Sequence, residues 1–279
     1  MEFLHTDVFN FKAALRGMRN PLNSWKKSDS LFDIAPSFYD VVIAWAKKEK
    51  PEYYSNEYLE DLDELSKRVQ LENKYEEWLL KNGAVRKNDY NETVEVAFIG
   101  PNDMDLAQRL VKAGPEHRKF LRQIMVSVDI TAPIYWWKEF DTYKIGTVAN
   151  STSTMHKLAS TPITLDCFEI DDLDVGICKM KILTFFIGCL EKLRKAYLST
   201  SYKGYWKELI RWLPMGWKQT RTVTMNYENL RSMYFQRKNH KLTEWHQFIA
   251  WVETLPYAEE LIKYTGKKYT GEETLQEAA

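Results

Sequence analysis

The run from Pro115 to His156, PEHRKFLRQIMVSVDITAPIYWWKEFDTYKIGTVANSTSTMH, constrains this chain most, because three kinds of local pattern follow one another in it without spacers. Ile124, Val126, Val128 and Ile130 recur with a period of two, Met125 being the apolar exception, and that predicts a half-buried strand over residues 123–130. Pro133 suits the first turn of a helix, where its missing N–H leaves no bond unmade. Trp136, Phe140 and Tyr143 then stand at i, i+4 and i+7, and Gly146 is expected to close that helix. Thr147, Asn150, Ser151, Thr152, Ser153 and Thr154 follow with almost no apolar content. Such a loop can hydrogen-bond an oxygen-rich ligand, or simply cap itself at the surface.

Composition narrows the function classes. Lysine plus arginine equals aspartate plus glutamate at 39 each, so no overall field draws the molecule to nucleic acid or an anionic membrane. Cys167, Cys178 and Cys189 are too few for a disulfide framework, and MEFLHTDVFNFK has neither the basic nor the apolar region of a signal peptide. The expectation is a cytoplasmic protein, in which the sequon matches at Asn91 and Asn150 are coincidences. The longest apolar run, residues 182–190, falls well short of the roughly 20 residues that span a bilayer, so no membrane span is expected. No histidine lies at ligand spacing beside the cysteines, and no metal site is assigned.

In chain order, residues 1–30 predict a short helix entering an exposed loop at Asn20-Pro21. Arg16, Arg19, Lys26, Lys27, Ser28 and Ser30 are there either phosphate ligands or a solvated face. Residues 38–46 and 55–82 read as helices, the second capped by Ser55 and stopped by Gly83. A strand over 93–99 precedes a helix that Asn102 can cap and Gly114 can end. Residues 169–198 begin with the acidic run DDLD and end KLRKAY, the charge order a helix macrodipole favours, and predict a long buried helix. After the break at Leu213-Pro214 a further helix is expected over 217–237, with Asn226, Met233 and Arg237 on one stripe and about 16 Å between its ends. These elements predict one α+β domain over residues 1–265, long helices around a mostly antiparallel sheet, followed by a polar tail at 266–279.

Two blocks resemble the flavin-dependent thymidylate synthases, which methylate dUMP using methylenetetrahydrofolate. The first runs from His117 to His156. Ala132-Pro133-Ile134 stands intact, Thr142-Tyr143-Lys144 replaces the family's Arg-His-Arg, Thr147 replaces its first serine, and Asn150 and Ser153 take its asparagine and second serine after one inserted residue. Ser151 replaces the glutamate and Met155 the final arginine. The second block, LPMGWKQTRTVTMNYENLRSMYFQRK, matches the family's Leu-Pro and the helix with Asn226, Leu230 and Arg237, while Glu228 replaces an arginine. The resemblance implies a ThyX-like fold, a noncovalent FAD, a dUMP or related pyrimidine nucleotide substrate, and a homotetramer with sites shared between subunits. It assigns His117, Tyr143, Lys144 and Asn226 to the flavin and Thr147, Asn150, Ser151 and Ser153 to the nucleotide. Arg237 is assigned to the uracil ring, whose developing charge a guanidinium stabilises. With the signature arginines replaced, either Arg211 or Arg221 compensates at the phosphate, or the ligand differs, or activity has been lost. Two other readings stand beside this one: a catalytically degenerate relative that binds nucleotide or flavin without turnover, and a single-stranded nucleic-acid binder using aromatics beside lysine and arginine.

Overall fold

Period-two sequence becomes strand wherever one side of the strand is buried, and the clearest case is Met125–Pro133, in which Val126, Val128, Ile130 and Ala132 are 0–1% exposed and the alternate residues are half-buried. The computed structural model describes residues 1–33, 84–87, 93–170 and 177–266. Its strands are β1 (Glu2–Phe9), β2 (Leu31–Asp33), β3 (Ala84–Lys87), β4 (Thr93–Phe98), β5 (Met125–Pro133), β6 (Val148–Ser151) and β7 (Lys218–Asn226). Its α-helices are α1 (Phe11–Arg19), α2 (Pro101–Ala113), α3 (Ile134–Phe140), α4 (Thr154–Lys157), α5 (Ile177–Thr200), α6 (Lys203–Arg211), α7 (Tyr227–Arg237) and α8 (Thr243–Glu253). The helices expected over 38–46 and 55–82, and the tail beyond Gly266, lie outside the described residues.

The strands form two sheets, in the orders β1-β5-β7-β6 and β2-β4-β3. Both pairs of the smaller sheet are antiparallel, as is β6 with β7. Side chains give the direction of β5 against β7. Ser127 meets Thr224 at 3.4 Å, Asp129 meets Thr222 at 2.5 Å and Thr131 meets Thr220 at 2.8 Å, so partners descend on one strand as they rise on the other. The architecture is therefore mixed helix and antiparallel sheet, as the sequence predicts.

The chain divides into two compact units. The first gathers Met1–Thr6, Ser127–Met225 and Asn239–Phe248. Its aromatic core is built on α3: Trp136, Trp137, Trp245 and Phe248 are fully buried and Phe140 nearly so, with Trp136 5.0 Å from Trp245 and 5.1 Å from Phe140 between ring centres. A second cluster packs Leu158, Ile163, Phe168 and Leu209 against Ile187 and Leu190 of α5. The other unit gathers Asp7–Val126, Asn226–Lys238 and Ile249–Ala279. Phe11, Ala14, Leu15 and Met18 form the buried stripe of α1, and Phe11 meets Tyr227 edge-on at 5.8 Å.

The structure corrects four sequence expectations. Residues 217–237 are not one helix: β7 occupies 218–226, where β-branched Thr220, Thr222, Val223 and Thr224 fit a pleated surface between β5 and β6, and α7 begins at Tyr227. The hydroxyl-rich loop contains the edge strand β6, and Ser153 caps the short α4 by accepting the His156 N–H at 3.0 Å. Helix α3 ends at Phe140 instead of Gly146, with Pro133 as its N-cap. Of the helix expected over 169–198, residues 171–176 lie outside the described residues; the described helix, Ile177–Thr200, is not buried all round, since Ile182 and Phe185 are 70% and 74% exposed. Two features have no counterpart among the sequence expectations: β1, and the role of Arg19, Ser28 and Ser30. Instead of facing a phosphate, Arg19 Nε and both hydroxyls donate to the fully buried Asp103 carboxylate.

Candidate functional site

The junction of β7 with α7 places the first group of candidates. Asn226 is the N-cap, and its capping box is reciprocal: Asn229 N–H donates to Asn226 Oδ1 at 3.0 Å, and Asn226 N–H donates to Asn229 Oδ1 at 3.3 Å. Asn226 is 7% exposed, yet its Nδ2 makes no hydrogen bond among the described residues. Glu228, in the first turn where the macrodipole favours an anion, takes Arg118 Nε on both oxygens at 2.8 and 3.1 Å. Arg231 is buried, donates to the Ile262 carbonyl at 2.5 Å and lies over the Phe235 ring at 4.8 Å. Burial and the neighbouring Arg118 charge lower its pKa to about 10, against an opposing pull from Glu228. Arg237 is half-buried in the last turn of α7, at the far end of the helix from Asn226. Because Asn226 folds over the helix start, the two do not share a helical stripe as the continuous helix would have had them. His117 is exposed, its backbone N–H donating to Gly114 O at 3.0 Å.

The second group lies between α3 and β7. Tyr143 is half-buried with its ring 6.1 Å from that of Trp245. Lys144 is exposed and pairs with no carboxylate among the described residues. Gly146, at φ 80°, supplies the left-handed turn, and Thr147 closes it by donating its hydroxyl to Tyr143 O at 3.0 Å. On the exposed edge strand β6, Asn150 stands opposite Thr222 and Ser151 opposite Arg221. Arg221 already has partners: it lies 4.3 Å over Trp137 and bonds Asp141 at 2.8 Å and Gln219 at 3.1 Å. Arg211 sits apart on α6, paired with Glu208. The two arginines expected to serve a phosphate are thus each neutralised within the chain.

One chemically capable group has no counterpart among the sequence candidates. Glu139 Oε2 accepts from Trp245 Nε1 at 3.0 Å and lies 3.3 Å from His240 Nε2, while the Leu242 N–H donates to His240 Nδ1 at 3.2 Å. With Nδ1 accepting, the assigned tautomer carries its proton on Nε2, directed at the carboxylate. Tyr135 donates its hydroxyl to the nearly buried Glu244, the residue before Trp245. His240 sits in QRKNHK, which reads as a solvated helix end; only the carboxylate in WWKEF, set among core aromatics, signals that Glu139 needs a buried donor. Of the aromatics on which the nucleic-acid reading rests, Tyr227 is fully buried, while Phe235 is 36% exposed with Arg231 4.8 Å from its ring centre.

The described residues contain no helix long and apolar enough to cross a membrane and no group of three or more His, Cys, Asp or Glu side chains placed to hold a metal. The sequence matches no protein-family profile. No curated protein matches it either. Solved structures do. One crystal structure of thymidylate synthase X (ThyX) from Helicobacter pylori with FAD and dUMP aligns over 96% of this chain and 100% of its own, with a TM-score of 0.55 at 13% identity. Another, of flavin-dependent thymidylate synthase ThyX from the same organism complexed with FAD and dUMP, aligns over 59% of this chain and 83% of its own, with a TM-score of 0.45 at 17% identity. The first likeness shows that the chain has a ThyX-like fold.

Proposed function

We propose that this chain is a flavin- and nucleotide-binding protein on a ThyX-like fold, and that it methylates dUMP or a related pyrimidine nucleotide with methylenetetrahydrofolate. The observation that carries the reading is the full-length likeness to a structure holding both FAD and dUMP. The polar groups left over in this chain suit a flavin: Asn226 is 7% exposed and its Nδ2 makes no bond among the described residues, and His117 and Lys144 are exposed and unpaired there. His117, Asn226, Tyr143 and Lys144 would hold the FAD, Lys144 meeting its phosphates as a point charge. Bound FAD would supply the hydride chemistry. Thr147, Asn150, Ser151 and Ser153 offer hydroxyl and amide groups to the nucleotide, and Arg237 would stabilise negative charge developing on the uracil ring. Arg211 is a weaker candidate, since Glu208 already balances its charge. The same reading makes the protein a cytoplasmic homo-oligomer, a tetramer as in the family it resembles.

A specific observation favours a second reading, a relative that binds flavin or nucleotide without turnover. Glu228 stands where the family has an arginine and neutralises Arg118, and Asp141 neutralises Arg221. Incubating the protein with dithionite-reduced FAD, methylenetetrahydrofolate and dUMP separates the two. Formation of dTMP supports the enzyme, binding of FAD and dUMP without product supports the relative, and failure to bind either ligand removes both.

A further inference from the structure

Helices α5 and α6 pack on each other within one compact unit, and a groove of about 530 Å³ opens along them. Phe186, Leu190, Leu193 and Ala196 line it from α5, and Tyr205 and Trp212 from α6. On α5 those positions fall at intervals of four, three and three, which keeps them on one face of the helix. Leu190 is buried, while Tyr205 and Trp212 are 38% and 56% exposed, so these walls are wetted apolar surface that a ligand would cover. Trp212 Nε1 already donates to Glu208 at 2.9 Å, which leaves the Tyr205 hydroxyl and the Cys189 thiol as the uncharged hydrogen-bonding groups on the lining. Its one charged side chain is Lys192, which is exposed and pairs with no carboxylate among the described residues. The carboxylates nearby are taken, Glu191 by Arg194 and Lys195 and Glu208 by Arg211. Over residues 191–211 six basic side chains stand against these two acidic ones, so the surface around the groove favours an anion.

We propose that this groove binds a free medium-chain fatty acid, its carboxylate on Lys192 and its hydrocarbon against the apolar walls. The volume falls within the roughly 300 to 1,000 Å³ of small-molecule sites, and the lining has their composition, predominantly apolar with one group that fixes orientation. At 1.5 Å per residue, Phe186 to Ala196 spans about 15 Å along α5. An extended hydrocarbon advances about 1.25 Å per C–C bond, so about 12 carbons occupy that length. Lys192 stands about one turn from the Ala196 end, which sets the carboxylate there and the methyl end toward Phe186. A lysine lays its methylene stem along such a wall while its ammonium stays at the rim. A ligand with polar groups along its whole length, such as a sugar or a nucleotide, would give up hydrogen bonds to water that this lining does not replace, whereas a hydrocarbon gives up none. The inference stands independently of the flavin reading.

Calorimetric titration of the full chain with laurate below its micellar concentration tests it, beside dodecyltrimethylammonium, which has a tail of the same length and the opposite charge. The expected result is one saturable laurate site per chain, with the cation bound at least about tenfold more weakly. Lys192→Gln should weaken laurate binding about ten- to a hundredfold, the loss of one charge-assisted hydrogen bond. Trp212→Ala, which removes an apolar wall, should weaken it about tenfold or more. No saturable laurate binding, equal affinity for the two amphiphiles, or wild-type affinity in either folded variant overturns the proposal. So does sedimentation with phosphatidylglycerol vesicles that free laurate does not displace, since that result assigns the surface to a membrane. Should Trp212→Ala lose its helical circular dichroism, Lys192→Gln decides alone, because Lys192 is exposed and its substitution leaves the packing of α5 intact.

Discussion

Replacing Asp103 by alanine should destabilise the unit that holds residues 7–126 by about 3 to 5 kcal/mol, the usual consequence of leaving one half of a buried ion pair behind. Asp103 is fully buried on α2 and accepts from Arg19 Nε, from Ser28 Oγ at 2.6 Å, and from Ser30 through both its hydroxyl at 2.5 Å and its N–H at 3.2 Å. Arg19 is only 4% exposed and its Nη2 makes no bond among the described residues, so water does not replace the missing carboxylate. At about 2 to 4 °C per kcal/mol for a protein of this size, the transition of that unit should fall by roughly 6 to 20 °C in differential scanning calorimetry at neutral pH. Asp103→Asn keeps the shape and should lose less. The pH dependence has a fixed sign. Burial alone would raise the Asp103 pKa, but the Ser28, Ser30 and Arg19 hydrogen bonds and the Arg19 charge outweigh it and hold the carboxyl below its ordinary 3.8. Its stabilisation is therefore complete above about pH 4 and is lost as the pH falls through the lower folded value. A shift of under 2 °C in Asp103→Ala would show that the buried ion pair contributes little to stability.

Glu191, held at a pKa of about 2 chiefly by its hydrogen bond to Arg194, should likewise contribute stability above its unfolded 4.5 and lose it as the pH drops toward 2. Glu191→Gln should therefore flatten the acid limb of a stability curve measured by urea unfolding from pH 6 to pH 2. Glu228→Ala frees Arg118 from its carboxylate and should tighten FAD binding about tenfold, the scale of one charge-assisted hydrogen bond, in a fluorescence-quenching titration. Unchanged or weaker binding would remove Glu228 as the residue that blunts the site. Arg237→Ala should weaken dUMP binding about ten- to a hundredfold in calorimetric titration while leaving flavin content intact; equal affinity in both proteins sinks the assignment.

What the sequence disclosed followed from burial on one side. The alternation of Val126, Val128 and Ile130 and the spacing of Trp136 with Phe140 are local statements of which side faces the core, and the structure repeats both. Where local patterns competed, the tertiary setting decided. Val223, Tyr227, Leu230 and Tyr234 fit a helical period across residues that are half strand, and the stronger signals were the threonines at 220, 222 and 224 and the Asn226–Asn229 capping box that marks where α7 begins. The site was legible as residue types, not as partners. Arg118 with Glu228 and His240 with Glu139 are pairings across about a hundred residues or more, which no local spacing encodes. The neutralisation of Arg221 by Asp141, which decides how much positive charge remains for a phosphate, is of the same kind.

On the proposed function, this fold holds a flavin and a pyrimidine nucleotide together. The most direct measurement is visible absorption of the protein reconstituted with FAD, desalted and then titrated with dUMP. About one retained flavin per chain is expected, with a saturable perturbation of its bands by dUMP that is lost on Asn226→Ala. A colourless protein after desalting, or flavin bands that dUMP leaves untouched, would contradict it.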